Sequence, residues 1–210
     1  MEEQIMNMPA VALRGLTILP GMIAHFDISR ERSLRAVEEA MEQDQKIYLV
    51  TQRNVDSEDP TQEDLYQMGI VADIKQVVRL QNDVVRILVD GISRAALLGF
   101  TGNEKYLEAE ICYCDSNADS LPEDLREAML LGVREAFHRY AAVIGKISKE
   151  LIRQIDQYED LEKLIDYVTN NLPVSYELKQ QVLEAEDIND RYQVIVSLLL
   201  SQVEVISIKN

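Results

Sequence analysis

Apolar and polar residues alternate along the first half of the chain, and apolar residues recur at helical spacing along the second. The change falls at Ser116-Asn117-Ala118-Asp119-Ser120. The period-two half predicts strands over residues 10–14, 23–29, 46–52, 69–80, 84–98 and 106–115. One helix interrupts them, at about 33–43, where Ala36, Val37, Ala40 and Met41 form an apolar stripe. Residues 53–63 are polar and contain Pro60, so they read as a loop, and Gln81-Asn82-Asp83 reads as a hairpin turn. The most informative stretch runs from Val84 to Ala95. Val85, Ile87 and Val89 share one strand face until Asp90-Gly91 interrupts the alternation, after which Arg94 returns to a polar face. Glycine reaches positive φ without a Cβ penalty, so this step is either a bulge or a two-residue hairpin turn. A bulge is favoured, because the strand upstream already has a partner in 69–80.

The second half predicts helices separated by short connectors. Ser120 is a candidate cap and Pro122 a first-turn residue for a helix to about 143, with Gly145 as its C-terminal stop. Ser148 caps a helix to about 157, and a third spans 160–170. Pro173 breaks the chain, Ser175 restarts it, and 187–189 separates the last two helices. In the final helix Ile188, Tyr192, Ile195, Val196, Leu199, Val203 and Ile206 keep helical spacing, while Leu198, Leu200, Val205 and Ile208 fall on other faces. Its apolar surface is wider than one buried face requires, and it has no stop signal, so it is either a terminal helix wrapped by its own bundle or, the reading favoured, one that continues in a longer parent protein. The domain expectation is therefore 1–117 for the β-rich part and 118–210 for the helical part.

Charge narrows the functional classes. A net charge of −16, spread over both halves, disfavours nucleic acid and anionic membrane as partners. Met1-Glu2-Glu3 lacks a basic region before an apolar core, so no secretory signal is expected. The most apolar run, 195–208, includes Gln202 and Glu204 and is too short to cross a bilayer. A cytoplasmic location follows by default. Cys112 and Cys114 sit on one strand face, where a mutual disulfide is strained, so they read as small buried hydrophobes.

Catalytic constellations are missing from the sequence. Gly145-Lys146 is preceded by Tyr140 where a phosphate loop needs glycine, and Ile147 stands where it needs a hydroxyl. His25 and His138 have no nucleophile elbow. The histidines and cysteines are too few for a metal site. Hence no catalytic, cofactor or metal residue is assigned. Arg30, Arg32 and Arg35 cluster at the start of the first helix of this acidic chain, with Arg32 and Arg35 on one face. They are either a solvated face balanced by Glu31, Glu38 and Glu39 or a contact point for a client polypeptide or neighbouring module.

Several of these residues together resemble the amino-terminal region of the Lon family of ATP-dependent proteases. They are Leu13-Arg14, Leu19-Pro20 with Met22, Arg30 with Ser33, the stretch Met68-Gly69-Ile70-Val71-Ala72-Asp73-Ile74, and Leu88-Val89-Asp90-Gly91-Ile92-Ser93-Arg94-Ala95. In the helical half the likeness rests on Leu172-Pro173, Lys179-Gln180, Leu183-Glu184 and Asn189-Asp190-Arg191. Ala12, Leu19 and Gln81-Asn82-Asp83 depart from the family pattern, where a proline, an aromatic and a Pro-Asp-Gly-like turn are common. The resemblance implies an α+β chain: a β-rich, PUA-like, partly open barrel with one main helix, then an all-α bundle. It implies a non-catalytic substrate-recognition and assembly module, whose parent carries ATP, magnesium, an AAA+ module and a Ser-Lys dyad outside this chain. The implied partners are unfolded or tagged protein clients and other subunits of a homo-oligomeric, hexameric protease that removes misfolded, damaged and short-lived regulatory proteins. The alternative is a stand-alone Lon-like domain that binds a peptide or small ligand.

Overall fold

The computed structural model describes residues 4–210; the Met1-Glu2-Glu3 start, with the signal-sequence expectation it carries, lies outside the described residues. The chain separates into two compact units, one ending at Cys114 and the other running from Asp115 to Asn210.

The first unit contains β1 (Ile5–Leu13), β2 (Ile23–Ile28), α1 (Glu31–Glu42), β3 (Lys46–Thr51), β4 (Met68–Arg79), β5 (Val85–Phe100) and β6 (Glu108–Tyr113). The strands form one mixed sheet in the order β2-β5-β4-β3-β1-β6, and β6 pairs again with β5. Among the described residues only β1 and β3 run parallel. The sheet curls far enough for β6 to meet the C-terminal half of β5, from Ala95 to Phe100. It is not a closed barrel: among the described residues β2 has β5 as its sole neighbour. The α+β class is what the change in period predicts.

Alternation sorts side chains onto two cores. Ile47 and Leu49 join Val11, Leu13, Ile70, Ile74, Ile87 and Val89 beneath Val37 and Ala40 of α1. Tyr48 and Val50 join Met8, Ala10, Val71, Leu97 and Ile111 on the opposite face. Strands buried on both faces read as nearly unbroken apolar runs, and 47–50 is such a run. β1 begins earlier than the sequence predicts, because Pro9 does not stop it. Pro9 lies opposite Glu108 of β6, and the ladder to β3 starts only at Ala10. Its missing N–H thus falls where the strand has one neighbour.

The Asp90-Gly91 step is a bulge within one continuous strand. Val71 opposes Ser93 while Ala72 opposes Gly91, so Ile92 is the extra residue. Positive φ is not what requires glycine there, since Gly91 is not among the glycines with that conformation. A Cβ at Gly91 would stand 2.5 Å from the Leu19 carbonyl and 2.8 Å from Ile70 Cδ1. Leu19 to Met22 forms a turn with Pro20 second and Gly21 third at φ +81°, the pattern of a type II turn. Gly21 donates to the Gly91 carbonyl at 2.9 Å, and Gly91 donates to the Met22 carbonyl at 2.8 Å. Two separate sequence signatures therefore form one joint. Arg94 departs from expectation: it is 7% exposed and lies inside the unit, not on a polar face. The bulge explains the difference, because one extra residue exchanges the faces of every side chain beyond it. The 81–83 turn is a hairpin as predicted, with Asn82 and Asp83 both at positive φ.

Gly69 is required by a different close approach. The Tyr48 hydroxyl donates to the Ala95 carbonyl at 3.0 Å, and Ala95 is the register partner of Gly69. A Cβ on Gly69 would overlap the Leu49 carbonyl and stand 2.6 Å from the Tyr48 hydroxyl.

The second unit contains α2 (Glu123–Ile144), α3 (Lys149–Gln157), α4 (Leu161–Asn170), α5 (Tyr176–Glu184) and α6 (Ile188–Lys209). Ser148, Asp160, Ser175 and Asp187 each cap the helix that follows, and Gly145 ends α2 at φ +69°. Ser120 does not cap α2. Its hydroxyl donates to the Asn117 carbonyl inside a short 3₁₀ turn, and Pro122 takes the cap position. Arg191 is 3% exposed, and it donates to Glu162 at 3.1 Å and to the carbonyls of Ala185 and Glu186. It joins α4 to the α5–α6 connector. α6 has 22 residues, longer than the 195–208 run, and is long and apolar enough to cross a membrane by length and composition alone. Its inner side buries Ile188, Ile195, Leu198 and Leu199, while Ile208 is 84% exposed.

Gly69→Ala is expected to destabilise the chain by about 1–3 kcal/mol in urea titration, through overpacking against backbone. Gly99→Ala, whose new Cβ meets only Gln62 Oε1 at 3.4 Å, is expected to change stability by less than about 0.5 kcal/mol. Equal effects would remove the close-approach account.

Candidate functional site

The ends of β1 and β2 are not paired with each other, and a cavity of about 240 Å³ opens between them. Ala12, Leu13 and Arg14 line one side and residues 26–30 the other, with Leu16 and Ser33 completing the wall. α1 begins here, with Arg30 in the cap position and no side-chain cap on its first amides. The first turn of a helix leaves such amides open to anions.

Two arginines dominate the cavity. Arg30 Nη2 donates to Gln52 Oε1 at 2.7 Å and to the Ser57 carbonyl at 3.2 Å. Gln52 is fully buried, and its amide nitrogen donates to the carbonyls of Asn54 and Ser57. Arg30 is thus held by neutral acceptors. Burial first, and then the like charge of Arg14, holds its pKa below the ordinary guanidinium value, with Asp59 opposing. Arg14 is exposed and has no hydrogen-bond or ion-pair partner among the described residues. Ser33 is 4% exposed, and its hydroxyl has no hydrogen-bond partner among the described residues.

Asp27 is the one carboxylate on the wall among the described residues, and it is already engaged. Arg86 donates to it through Nε at 2.8 Å and Nη2 at 3.1 Å, from the register-paired position on β5. The cleft therefore keeps its positive character inside a strongly acidic chain.

The other two clustered arginines point elsewhere. Arg32 donates to the carbonyls of Asn103, at 2.7 Å, and Tyr106. Arg35 donates to the Lys105 carbonyl and pairs with Glu31. They do share a face, and that face grips the turn between β5 and β6. Of the other signature residues, Leu13 lines the cleft from the core side, Pro20 and Met22 belong to the joint with Asp90-Gly91, and Gly69 and Arg94 serve the sheet.

The remaining chemistry-bearing residues do not assemble elsewhere. His25 is exposed on β2, and His138 pairs with Asp156 at 2.7 Å with no hydrogen-bonded hydroxyl or thiol among the described residues. Cys112 and Cys114 form no disulfide among the described residues and are half-buried rather than buried. Among the described residues no group of three or more His, Cys, Asp or Glu could hold a metal. What the cleft offers is hydrogen-bond donation and positive charge beside apolar wall, and among the described residues no hydroxyl there is hydrogen-bonded to a base.

Comparison with known proteins places this architecture. The fold is that of Lon amino-terminal domains. The N-terminal domain of Mycobacterium avium complex Lon protease superposes with a TM-score of 0.75 at 18% identity, covering 93% of this chain and 98% of that one. A Lon N-terminal domain protein from Xanthomonas campestris gives 0.62 at 14%, covering 91% and 98%. The sequence profile of the ATP-dependent protease La (LON) substrate-binding domain matches residues 7–201, and the chain belongs to that family. It is 35% identical over 209 residues to Lon protease of Lachnoclostridium phytofermentans, covering 100% of this chain and 26% of that protein. It is 30% identical over 208 residues to Lon protease 1 of Bacillus subtilis, covering 99% and 27%. The chain thus spans about a quarter of the length of these relatives.

Two outcomes test the assigned contacts. Arg32→Ala is expected to raise amide exchange across residues 103–107, whereas Arg14→Ala leaves it unchanged. Asp27 titrates below its ordinary 3.8, chiefly because Arg86 donates to its carboxylate. A carboxyl depressed in the folded state adds stability above its unfolded pKa of about 4, lost as pH falls through the depressed value. Arg86→Ala should move the Asp27 midpoint, read by carboxyl-carbon NMR titration, up toward the ordinary value and remove that part of the acid sensitivity.

Proposed function

We propose that this chain is the client-engaging module of a cytoplasmic ATP-dependent serine protease that degrades misfolded, damaged and short-lived regulatory proteins. The supporting observation is the family match across 7–201, in a chain whose sequence carries no nucleotide loop and no nucleophile elbow. Nucleotide hydrolysis and peptide cleavage are assigned to the rest of the parent, with its AAA+ module and Ser-Lys dyad.

Client capture then rests on physical features of the first unit. β2 offers a strand edge without a second neighbour among the described residues, and an extended polypeptide adds to such an edge through backbone hydrogen bonds. Weak capture by several copies around a hexameric ring raises local client concentration without tight single-site binding. Within the Arg30, Arg32 and Arg35 cluster, Arg30 with Arg14 is the better contact point, because Arg32 and Arg35 are occupied by the 103–106 turn.

The 210-residue chain is expected to bind unfolded casein weakly and to hydrolyse neither ATP nor casein. Fluorescence anisotropy measures the binding, phosphate release the ATP hydrolysis, and gel electrophoresis the casein cleavage. ATP turnover by the pure chain, or no affinity for any unfolded client, overturns the proposal.

A further inference from the structure

The cavity at the start of α1 has the makings of a specific receptor. Its cations are not neutralised by contact: Arg14 has no hydrogen-bond or ion-pair partner among the described residues, Arg30 donates only to neutral oxygens while Asp59 acts on it through space, and the nearby Asp27 is engaged by Arg86. Arg30 is pre-oriented through Gln52, which is fully buried and ties itself to the 54–57 backbone. Ser33, 4% exposed and without a hydrogen-bond partner among the described residues, faces the same space. Leu16 and Phe26 supply apolar lining to the same cavity. At about 240 Å³ the cavity is smaller than the sites that enclose drug-sized ligands, so it suits the end of a chain and not a whole cofactor.

We propose that Arg14, Arg30 and Ser33 form a carboxylate-binding pocket that receives the C-terminal carboxylate of an extended polypeptide whose last side chain is apolar. The carboxylate lies between the two guanidiniums and accepts from the Ser33 hydroxyl, while the terminal side chain packs on Leu16 and Phe26. Guanidinium–carboxylate bonds are charge-assisted and directional, so they fix the end of the chain. The residues before the end lie along β2, which forms the adjoining wall. This inference deepens the proposed client role and specifies one chemical group within it.

The test uses the 210-residue chain labelled with nitrogen-15 and an apolar hexapeptide, offered with a free C-terminus or with a C-terminal amide. The free acid is expected to shift amides of residues 13–16 and 29–33, and the amide is expected to bind about tenfold more weakly, a difference of roughly 1.4 kcal/mol. Arg14→Gln should produce a comparable loss while leaving the fold intact, since Arg14 is exposed and holds nothing in place. Binding should also weaken as salt rises. Equal binding of acid and amide, or shifts confined elsewhere, overturns the pocket. Inorganic phosphate that displaces the peptide at equal concentration marks a small-anion site and overturns the polypeptide assignment. Casein binding that survives Arg14→Gln while hexapeptide binding is never seen overturns this inference and leaves the proposed function standing.

Discussion

One hydrogen bond organises the sheet, that from the Tyr48 hydroxyl to the Ala95 carbonyl. It starts on β3, crosses β4 where Gly69 leaves room, and ends on β5. Three strands are thereby locked in register by a side chain that occupies the space a Cβ would take. The phenol is fully buried, which pushes its pKa far above the ordinary value, so it keeps its proton and remains a donor at neutral pH. A buried carbonyl left without this donor would cost more than an ordinary hydrogen bond contributes. The packing around it follows, with Val71, Ala95 and Leu97 on the same side and Ile70 and Ile74 turned to the other.

The second constraint is the joint between the Leu19–Met22 turn and Gly91. It sets where β2 starts against β5, with Ile23 opposite Asp90, and the bulge at Ile92 then lets the rest of β5 serve β4 and β6. A single strand therefore has different neighbours along its length. Because β2 ends opposite the end of β1 without pairing to it, a cleft is left at the position where α1 begins. The cationic cleft is a by-product of sheet curvature that Arg14, Arg30 and Ser33 convert into a polar pocket.

Much of this was legible in residue order. Period two gave way to helical spacing after the last strand, the bulge was favoured over a turn at Asp90-Gly91, and Ser148 was readable as a helix cap. Other features depend on residues distant in the chain. Gly91 looked like a conformational requirement and proved a steric one, visible only once Leu19 and Ile70 are set against it. Arg94 looked exposed because alternation was counted through a bulge that reverses it. Arg32 and Arg35 looked available because their acceptors, the carbonyls of the 103–106 turn, lie about 70 residues away. Gln52 passed unnoticed as the last residue of a strand, although a polar residue closing the apolar run 47–50 was the available signal. Ser33 was read only as the start of a helix, and Arg14 only as part of a signature.

The anchoring of α1 has a kinetic meaning. Arg30 fastens the start of the helix to the 52–57 segment, and within the next turn and a half Arg32 and Arg35 fasten it to the β5–β6 turn. A helix tied at two points on different sides has little freedom to slide or tilt, so the cleft at its head exists before any ligand arrives. Encounter with a preformed receptor needs no slow rearrangement, and association then proceeds at rates set by diffusion and orientation. Rapid arrival and rapid release suit a receiver that must sample many polypeptides and retain few.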